Sequence, residues 1–348
     1  MSATPLTLEA LRASEVLSDL DVHFADAMCR LANERDERVR LGTALVSRQT
    51  QAGHVCLELR RLCQGALVLT AGDGSSVEAA FPDYAVWRDA LAASPLVSSE
   101  SAIAPLCLDG DGRLYLRRYF EHERALAADL LERAERPDLG VREHVLREGL
   151  DRLFGAEPRR ARVRPDTRQL GLFEAQATPA GEPDLQRAAA ERAVRRPLCV
   201  ISGGPGTGKT STVVKILALL VEQAHAEQPG TRPRVLLLAP TGKAAARLSE
   251  AIGRAKHALR CDETVRVAIA QEASTIHRAL GGQTGGRRFR HDRGNPLAAD
   301  TVVVDEASMV DLALMARLLD AVPSKARVIL LGDRNQLASV EAGAVLGD

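Results

Sequence analysis

Near the middle of the chain stands the stretch Gly203-Gly204-Pro205-Gly206-Thr207-Gly208-Lys209-Thr210. It fits the pattern G-x-x-x-x-G-K-[ST], and it lies between an apolar run at 198–202 and a helical pattern at 211–223. A strand before this pattern and a helix after it make the match specific. The glycines let backbone N–H groups converge on phosphate oxygens at a helix N-terminus, where the helix dipole also favours negative charge. All eight residues are therefore predicted to bind a nucleotide, with Lys209 as a point charge on the phosphates and the Thr210 hydroxyl as a ligand of Mg²⁺.

Around this loop the sequence alternates between strands and helices. Four apolar runs indicate buried strands, at 198–202, 234–239, 301–304 and 327–331, and helical patterns separate them, notably at 211–223 and 242–258. Such alternation is typical of a parallel sheet covered by helices. The second half of the chain is therefore predicted to have an α/β fold.

Two of these strands lead into residues suited to phosphoryl transfer. The run Val302-Val303-Val304 is followed by Asp305 and Glu306. Asp305 is predicted to hold Mg²⁺ through its hydration shell. Glu306 is predicted to orient and deprotonate the attacking water, because catalysis of this reaction is mostly positioning and charge neutralisation. Gln336 follows the last strand, where an amide can hydrogen-bond the γ-phosphate or the water and report hydrolysis.

Two further segments follow strands without repeating the glycine-rich pattern. Residues 239–247 are Ala-Pro-Thr-Gly-Lys-Ala-Ala-Ala-Arg, and residues 274–278 are Ser-Thr-Ile-His-Arg. Hydroxyls, a lysine and a helix N-terminus are suited to another anion, such as a nucleic-acid phosphate. The predicted DNA contacts are Pro240, Thr241, Lys243, Arg247, Thr275 and His277. His277 fits equally well as a structural histidine whose ring nitrogens are hydrogen-bonded.

Two arginine-rich stretches, at 159–168 and 287–293, leave two interpretations open. The second contains one aromatic residue, Phe289, and would suit the grip of a nucleic-acid backbone. Solvated surface is the other meaning of such charge runs.

The first half of the chain lacks the pattern of a catalytic centre, since it has no glycine-rich loop and no nucleophile with an evident base. Residues 24, 28 and 31 are apolar at helical spacing, and short strands are expected near 55–59 and 114–116. A segment rich in Pro, Arg and Gly at 155–184 is predicted to be a linker. The predicted organisation is a smaller, mainly helical docking domain at 1–154, this linker, and an ATPase domain at 185–348.

Composition excludes several protein classes. With 348 residues, 45% of them hydrophobic and 26% charged, the chain fits a globular protein of about two domains. No apolar run is long enough to cross a membrane and the N-terminus lacks a signal-peptide pattern, which predicts a cytoplasmic location. The zero net charge leaves nucleic-acid binding to local patches. Only five of the 46 basic residues are lysine, which singles out Lys209 and Lys243 as places where a compact ammonium is needed. The six cysteines include no C-x-x-C pair, so we expect reduced thiols and no zinc site.

Taken together, five stretches resemble the motifs of superfamily 1 DNA helicases: the glycine-rich loop, A-P-T-G-K-A-A-A-R, T-I-H, V-V-D-E-A-S and L-G-D-R-N-Q-L-A-S-V-E-A-G-A-V-L-G-D. Among these helicases the chain resembles the RecD family, the alpha subunits of exodeoxyribonuclease V. The first half supports this choice, because residues 21–25, 53–57 and 113–116 look like the N-terminal part of the complex-forming type rather than the longer stand-alone type.

The resemblance implies a RecA-like P-loop domain that uses ATP and Mg²⁺ to move 5′→3′ along single-stranded DNA. It implies a heterotrimer with RecB and RecC that acts on duplex ends in double-strand break repair and homologous recombination, with the N-terminal domain docked on RecC and nuclease chemistry in RecB. Gln186 matches the glutamine that reads adenine, and Lys209, Asp305, Glu306 and Gln336 match the catalytic set.

Because the family closes ATP between two motor domains and only one is recognisable, we expect a fragment that does not unwind DNA alone. A stand-alone superfamily 1 helicase and a nucleotide-switched assembly module without translocation are the alternatives.

Overall fold

The computed structural model describes residues 4–70, 76–99, 103–155, 184–204, 206–282, 289–333, 342–343 and 345. As far as they are described, these residues form two compact units. One comprises Met1–Ala128, Met309–Arg317 and Leu337–Asp348, and the other comprises Asp129–Ser308 and Leu318–Gln336. The sequence predicts a boundary at 155, whereas this division lies at residue 129, because Leu146, Leu150 and Leu153 belong to the hydrophobic core of the second unit. Nearly all of the predicted linker lies outside the described residues.

The first unit combines helices with two small sheets, as predicted for a mainly helical domain. Its helices are α1 (Leu8–Ala13), α2 (Asp19–Leu31), α3 (Glu37–Gln51), α4 (Leu59–Leu62), α5 (Tyr84–Ala93) and the first part of α6 (Arg117–Glu135). Its strands are β1 (Thr4–Pro5), β2 (Cys56–Glu58), β3 (Ala66–Thr70), β4 (Ser76–Ala80), β5 (Val97–Ser98), β6 (Leu106–Leu108) and β7 (Arg113–Leu116). The strand orders are β1-β4-β3 and β2-β7-β6-β5. Trp87 lies fully buried in the core, where its indole N–H donates to the Arg38 carbonyl at 2.8 Å.

Helix α2 forms where the sequence pattern predicts a helix, but it buries a different face. Ser18 and Asp21 form a capping box at its start. The buried residues are Asp21, Val22, Ala25 and Cys29, while Leu31 is 84% exposed. Asp21 is tolerated inside because its carboxylate accepts hydrogen bonds from the Ser18 backbone N–H and from the Gln51 side chain. A capping requirement therefore sets the orientation of this helix.

The second unit is a five-stranded sheet covered by helices. Its strands are β8 (Leu198–Ser202), β9 (Val235–Ala239), β10 (Ala273–Thr275), β11 (Thr301–Val304) and β12 (Arg327–Gly332). Its helices are the end of α6, α7 (Glu143–Phe154), α8 (Leu185–Arg195), α9 (Lys209–Glu227), α10 (Gly242–His257), α11 (Glu263–Ala268), α12 (Ile276–Ala279) and the end of α13 (Leu312–Ala321), with a 3₁₀ turn at Ala307–Met309.

Every strand pair of this sheet is parallel, in the order β10-β9-β11-β12-β8. This confirms the predicted α/β fold. The central strand β11 is buried along its whole length, which explains its unbroken apolar sequence. Strand β10 was not among the predicted strands, because its residues Ala273-Ser274-Thr275 are only half-buried and lack an apolar run. No helix in the described part of the chain is long and apolar enough to span a lipid bilayer.

Candidate functional site

The carboxyl ends of the five parallel strands lie at one edge of the sheet. In the register of the strands, Leu330 of β12 pairs with Val200 of β8 and with Val304 of β11, and Val304 also pairs with Leu238 of β9. The segments that follow these strands therefore emerge side by side. In open α/β sheets, ligands bind outside this edge.

The loop between β8 and α9 has the backbone conformation that its glycines permit. Gly206 and Gly208 have φ values of +78° and +81°, in the left-handed region that favours glycine. Gly208 is the N-cap of α9, and no described side chain caps this helix. Lys209 Nζ donates to the carbonyl oxygens of Gly203 and Gly204, the latter at 2.9 Å. The loop thus presents uncapped helix N–H groups next to an ammonium group. Pro205 lies outside the described residues.

Gln186 contacts this loop, as its predicted role requires. Asp184 caps α8 by accepting from the Gln186 backbone N–H, and the Gln186 side-chain amide donates to the Thr207 carbonyl at 3.0 Å. A groove of about 800 Å³ adjoins this contact, between α8 and β8, and Lys209 lies at its border. Apolar walls with a few fixed polar groups are the usual features of a small-molecule site. The groove is therefore suited to a flat base whose phosphates reach the loop.

Asp305 and Glu306 lie at the end of β11. The Asp305 backbone N–H donates to the Leu238 carbonyl at 2.8 Å, and the Asp305 carboxylate accepts from the Glu306 N–H at 3.0 Å. Burial raises the pKa of the Asp305 carboxyl above its ordinary value, while this N–H and the charge of Lys209 act in the opposite direction. Lys209 and Asp305 follow β8 and β11, which flank β12 and end at the same edge of the sheet. Glu306 has a φ of +51°, a strained backbone conformation of the kind that clusters at functional sites.

The donor set at this edge fits Mg²⁺. The Thr210 hydroxyl lies in the first turn of α9, and Asp305 supplies a carboxylate, so both are the hard oxygen ligands that Mg²⁺ prefers. Among the described residues, no group of three or more His, Cys, Asp or Glu side chains is arranged so that it could hold a metal ion.

Sequence reasoning missed Asp333, which follows β12 and is buried at the same edge. β12 lies between β8 and β11, so Asp333 emerges between the glycine-rich loop and Asp305. An acid directly after an apolar strand was the available signal. Gln336, the predicted sensor, lies outside the described residues.

The turn after β9 differs from the glycine-rich loop. The Thr241 hydroxyl caps α10 by accepting from the Ala244 N–H at 3.2 Å. Pro240 is half-buried, and Lys243 and Arg247 are exposed one turn apart. Neither cation has an ion-pair partner within the described part of the chain. This turn therefore offers accessible positive charge.

Strand β10 places the second predicted DNA segment beside this turn, because Thr275 pairs with Ala239. The Thr275 hydroxyl caps α12 by accepting from the Arg278 N–H at 3.2 Å. His277 is exposed, and its ring lies 5.9 Å from the Phe289 ring. Among the described residues, none forms a hydrogen bond with the ring nitrogens of His277.

Helix α10 and strand β10 are joined through Ser249. The Ser249 hydroxyl accepts from the Ala273 backbone N–H at 2.9 Å and donates to the Ala245 carbonyl at 3.0 Å. Helix α10, which carries Lys243, is thus bonded to the strand that leads into α12, the short helix that carries His277.

The basic stretch at 287–293 is only partly described. Arg293 forms ion pairs with Asp129 at 3.5 Å and Asp320 at 3.2 Å, and His291 Nδ1 contacts the Asn295 carbonyl oxygen at 3.0 Å. Arg293 is thus engaged by two carboxylates, although its side chain is 75% exposed. Arg290 is exposed and Phe289 is half-buried. The stretch at 159–168 lies outside the described residues.

Comparison with known proteins gives two family matches. Residues 13–115 match the N-terminal domain of the RecBCD enzyme subunit RecD, and residues 186–342 match an AAA domain. RecBCD enzyme subunit RecD of Mycobacterium tuberculosis is 44% identical over 344 residues, which are 98% of this chain and 52% of that protein. The same subunit of Mycolicibacterium smegmatis is 42% identical over 338 residues, 96% of this chain and 53% of that protein.

The ATP-dependent RecD2 DNA helicase of Deinococcus radiodurans is 36% identical over 298 residues, which are 85% of this chain and 34% of that protein. The chain spans about half the length of the RecD subunits that it matches.

Proposed function

The chain belongs to the RecD family, with the N-terminal domain and the P-loop motor domain of that family, and on this premise we propose that it serves in ATP-driven 5′→3′ movement along single-stranded DNA. The supporting observation is the convergence of the glycine-rich loop, Lys209 and Asp305 at the carboxyl edge of one sheet. Phosphoryl transfer depends on positioning and charge neutralisation, and these groups supply both.

In this proposal the nucleotide lies along α8 and the glycine-rich loop. Gln186 contacts the adenine edge in the groove, the loop N–H groups bind the phosphate oxygens, and Lys209 neutralises their charge. Mg²⁺, held by Thr210 and Asp305, supplies further charge neutralisation on the phosphates. Glu306 accepts the proton of the attacking water, and Gln336 hydrogen-bonds the γ-phosphate or that water.

The DNA strand lies on the turns after β9 and β10. Lys243 and Arg247 contact its phosphates, and Pro240, Thr241, Thr275 and His277 complete the contact surface. The hydroxyls of Thr241 and Thr275 act mainly by fixing the helix starts, since both are used as caps.

The proposal extends to the assembly named for the relatives. We assign the N-terminal unit to a contact with RecC, and the chain to a RecBCD-type heterotrimer with RecB that processes duplex ends in the cytoplasm during double-strand break repair and recombination. Co-purification of the chain with RecB and RecC tests this part, and failure of the three to associate would contradict it.

The test of the motor site is nucleotide binding by the 348-residue chain. A fluorescent ATP analogue is titrated with Mg²⁺, with and without oligo(dT). We expect binding, and an affinity that changes when the oligonucleotide is present, because linked sites influence each other reciprocally. A chain that does not bind the analogue would contradict the nucleotide site, and an affinity indifferent to DNA would contradict the coupling.

A stand-alone DNA helicase is the second candidate function, and the similarity to the RecD2 helicase of Deinococcus radiodurans favours it. The family match of residues 13–115 and the longer alignment to RecD subunits favour the heterotrimer. DNA binding with unchanged affinity in the presence of RecB and RecC would support the stand-alone candidate.

A further inference from the structure

We infer that His277 and Phe289 together form a stacking platform for one base of single-stranded DNA. This inference rests on the proposed DNA-binding function and adds a base-directed contact to the phosphate contacts proposed above. It also assigns a role to Phe289, which lies beyond the predicted contact residues.

The two rings form an open corner. Their centroids are 5.9 Å apart and their planes make an angle of 57°. His277 is exposed and Phe289 is half-buried, so both rings are accessible to solvent. A flat base can lie on one ring while its edge meets the other, and aromatic groups favour both the offset-stacked and the edge-to-face arrangement.

The backbone holds Phe289 in this position. Gly281 has a φ of +72°, and a Cβ on it would come within 2.7 Å of the Arg290 Cβ. A Cβ on Gly282 would lie 3.2 Å from the His277 carbonyl oxygen and 3.5 Å from the Phe289 ring. The Arg290 backbone N–H donates to the Leu280 carbonyl at 2.9 Å. The backbone at Arg290 is therefore bonded to the end of the helix that carries His277, which places Phe289 beside it.

Positive charge surrounds the platform. Arg278 and Arg290 are the chain neighbours of the two rings, and Lys243 follows the adjacent strand. All three are exposed, and each is without an ion-pair partner among the described residues. Arg293, in contrast, is engaged by Asp129 and Asp320. A cationic track beside aromatic rings is the arrangement with which proteins bind single strands regardless of sequence.

Phe289 could instead be an ordinary core residue, because it is half-buried. In that case we would expect the neighbouring His277 to be buried as well. His277 is exposed, although its ring centroid lies only 5.9 Å from that of Phe289. The pair is therefore a surface feature with a stacking face.

The test compares two oligonucleotides that have the same phosphate backbone. One is oligo(dT), and the other has abasic sites in place of the bases. Binding of each to the 348-residue chain is measured by fluorescence anisotropy. We expect the abasic oligonucleotide to bind about tenfold more weakly, because stacking of a base on an aromatic side chain contributes about this factor. The ratio of the two affinities should stay constant as salt is raised, because stacking releases no counterions.

Three variants test whether the His277–Phe289 pair causes the difference in affinity between oligo(dT) and the abasic oligonucleotide. Phe289→Leu keeps an apolar side chain and should bring the two affinities to within about twofold of each other. Phe289→Tyr keeps the ring and should retain the wild-type ratio. His277→Ala should reduce the ratio as well. Binding of the fluorescent ATP analogue, which uses the glycine-rich loop, should be unchanged in both Phe289 variants and reports correct folding.

Equal binding of the two oligonucleotides by the wild type would overturn the platform while leaving the proposed DNA binding intact. A wild-type ratio in Phe289→Leu would also overturn it. If the chain bound neither oligonucleotide, the proposed DNA-binding function would fail, and the platform with it.

Discussion

The segments β8–α9 and β9–α10 have the same topology. In each, a parallel strand is followed by a turn and by a helix with a lysine near its start. The two helices differ in how their first turns are capped and in what surrounds the lysine. In the first, glycine occupies the N-cap with a left-handed backbone, and Lys209 bends back onto loop carbonyls. In the second, Thr241 caps the helix with its own hydroxyl, and Lys243 extends into solvent.

This difference suits the two turns to the two kinds of anion that we propose for them. A helix start without a side-chain cap keeps its N–H groups available to converge on a small, enclosed phosphate. A capped start has already satisfied one of these groups, so in our proposal the segment acts through the exposed charge of Lys243, which suits a long polymer. Substitutions at matched positions of the two segments can separate these roles.

The largest effect is expected at the two lysines when nucleotide binding is measured. Lys209→Gln should weaken binding of a fluorescent ATP analogue about 100-fold, because it removes a charge-assisted hydrogen bond to phosphate. Lys209→Arg should fail as well, because a planar guanidinium does not fit a site shaped for a point charge. Lys243→Gln is the matched control and should bind the analogue as the wild type does. Equal affinities of Lys209→Gln and wild type would contradict the comparison.

Replacing a glycine by alanine should change the free energy of unfolding differently at the starts of the two helices. Gly208→Ala should lower the free energy of unfolding by about 1–3 kcal/mol, because its φ is +81° and its Cβ would come within 2.6 Å of the Gln186 amide nitrogen. Gly242→Ala has open space around its Cβ and lies in a helix, so it should be neutral or stabilising by up to about 1 kcal/mol. Chemical denaturation measures both values. Equal losses in the two variants would show that the turns are not built differently.

The cap that distinguishes the second turn can be removed on its own. Thr241→Ala should destabilise the chain by about 1 kcal/mol, because the Ala244 N–H loses its acceptor, and Thr241→Ser should restore most of this stability. Denaturant melts followed by circular dichroism provide the measurement. If Thr241→Ala were as stable as Thr241→Ser, the hydroxyl cap would not contribute to stability.

The smallest effect is expected for Lys243 and DNA. Lys243→Gln should weaken oligo(dT) binding about threefold at moderate salt and reduce the slope of log affinity against log salt by about one, because one phosphate contact is lost. Lys209→Gln should leave that slope unchanged. Anisotropy titrations at four salt concentrations decide the matter, and an unaltered slope in Lys243→Gln would place the phosphate contact elsewhere.

The sequence was sufficient to predict those structural elements that depend on the pattern of neighbouring residues. The glycine-rich loop, the acids after β11 and the parallel α/β fold depend on local pattern, and the structure has the predicted elements at these positions. Gln186 needed the family resemblance, because nothing in its neighbours predicts a contact with Thr207, which lies 21 positions further along the chain.

Long-range bonds explain what pattern could not predict. The apolar residues of α2 predicted the helix but not its buried face, because the capping box and Gln51 draw Asp21 inward. The pairing of Arg293 with Asp129 and Asp320 could not be predicted either, because these acids lie far from it in the sequence. The position of β12 between β8 and β11 likewise could not be predicted from the sequence of any single strand, because it depends on how the strands pair.

The hydroxyl of Ser249 has a mechanical consequence. It bonds both to helix α10 and to strand β10, in addition to the parallel pairing of β10 with β9. Helix α10 carries Lys243, and β10 leads into the short helix that carries His277. We therefore expect Ser249 to limit how far the two segments proposed to hold DNA can move apart.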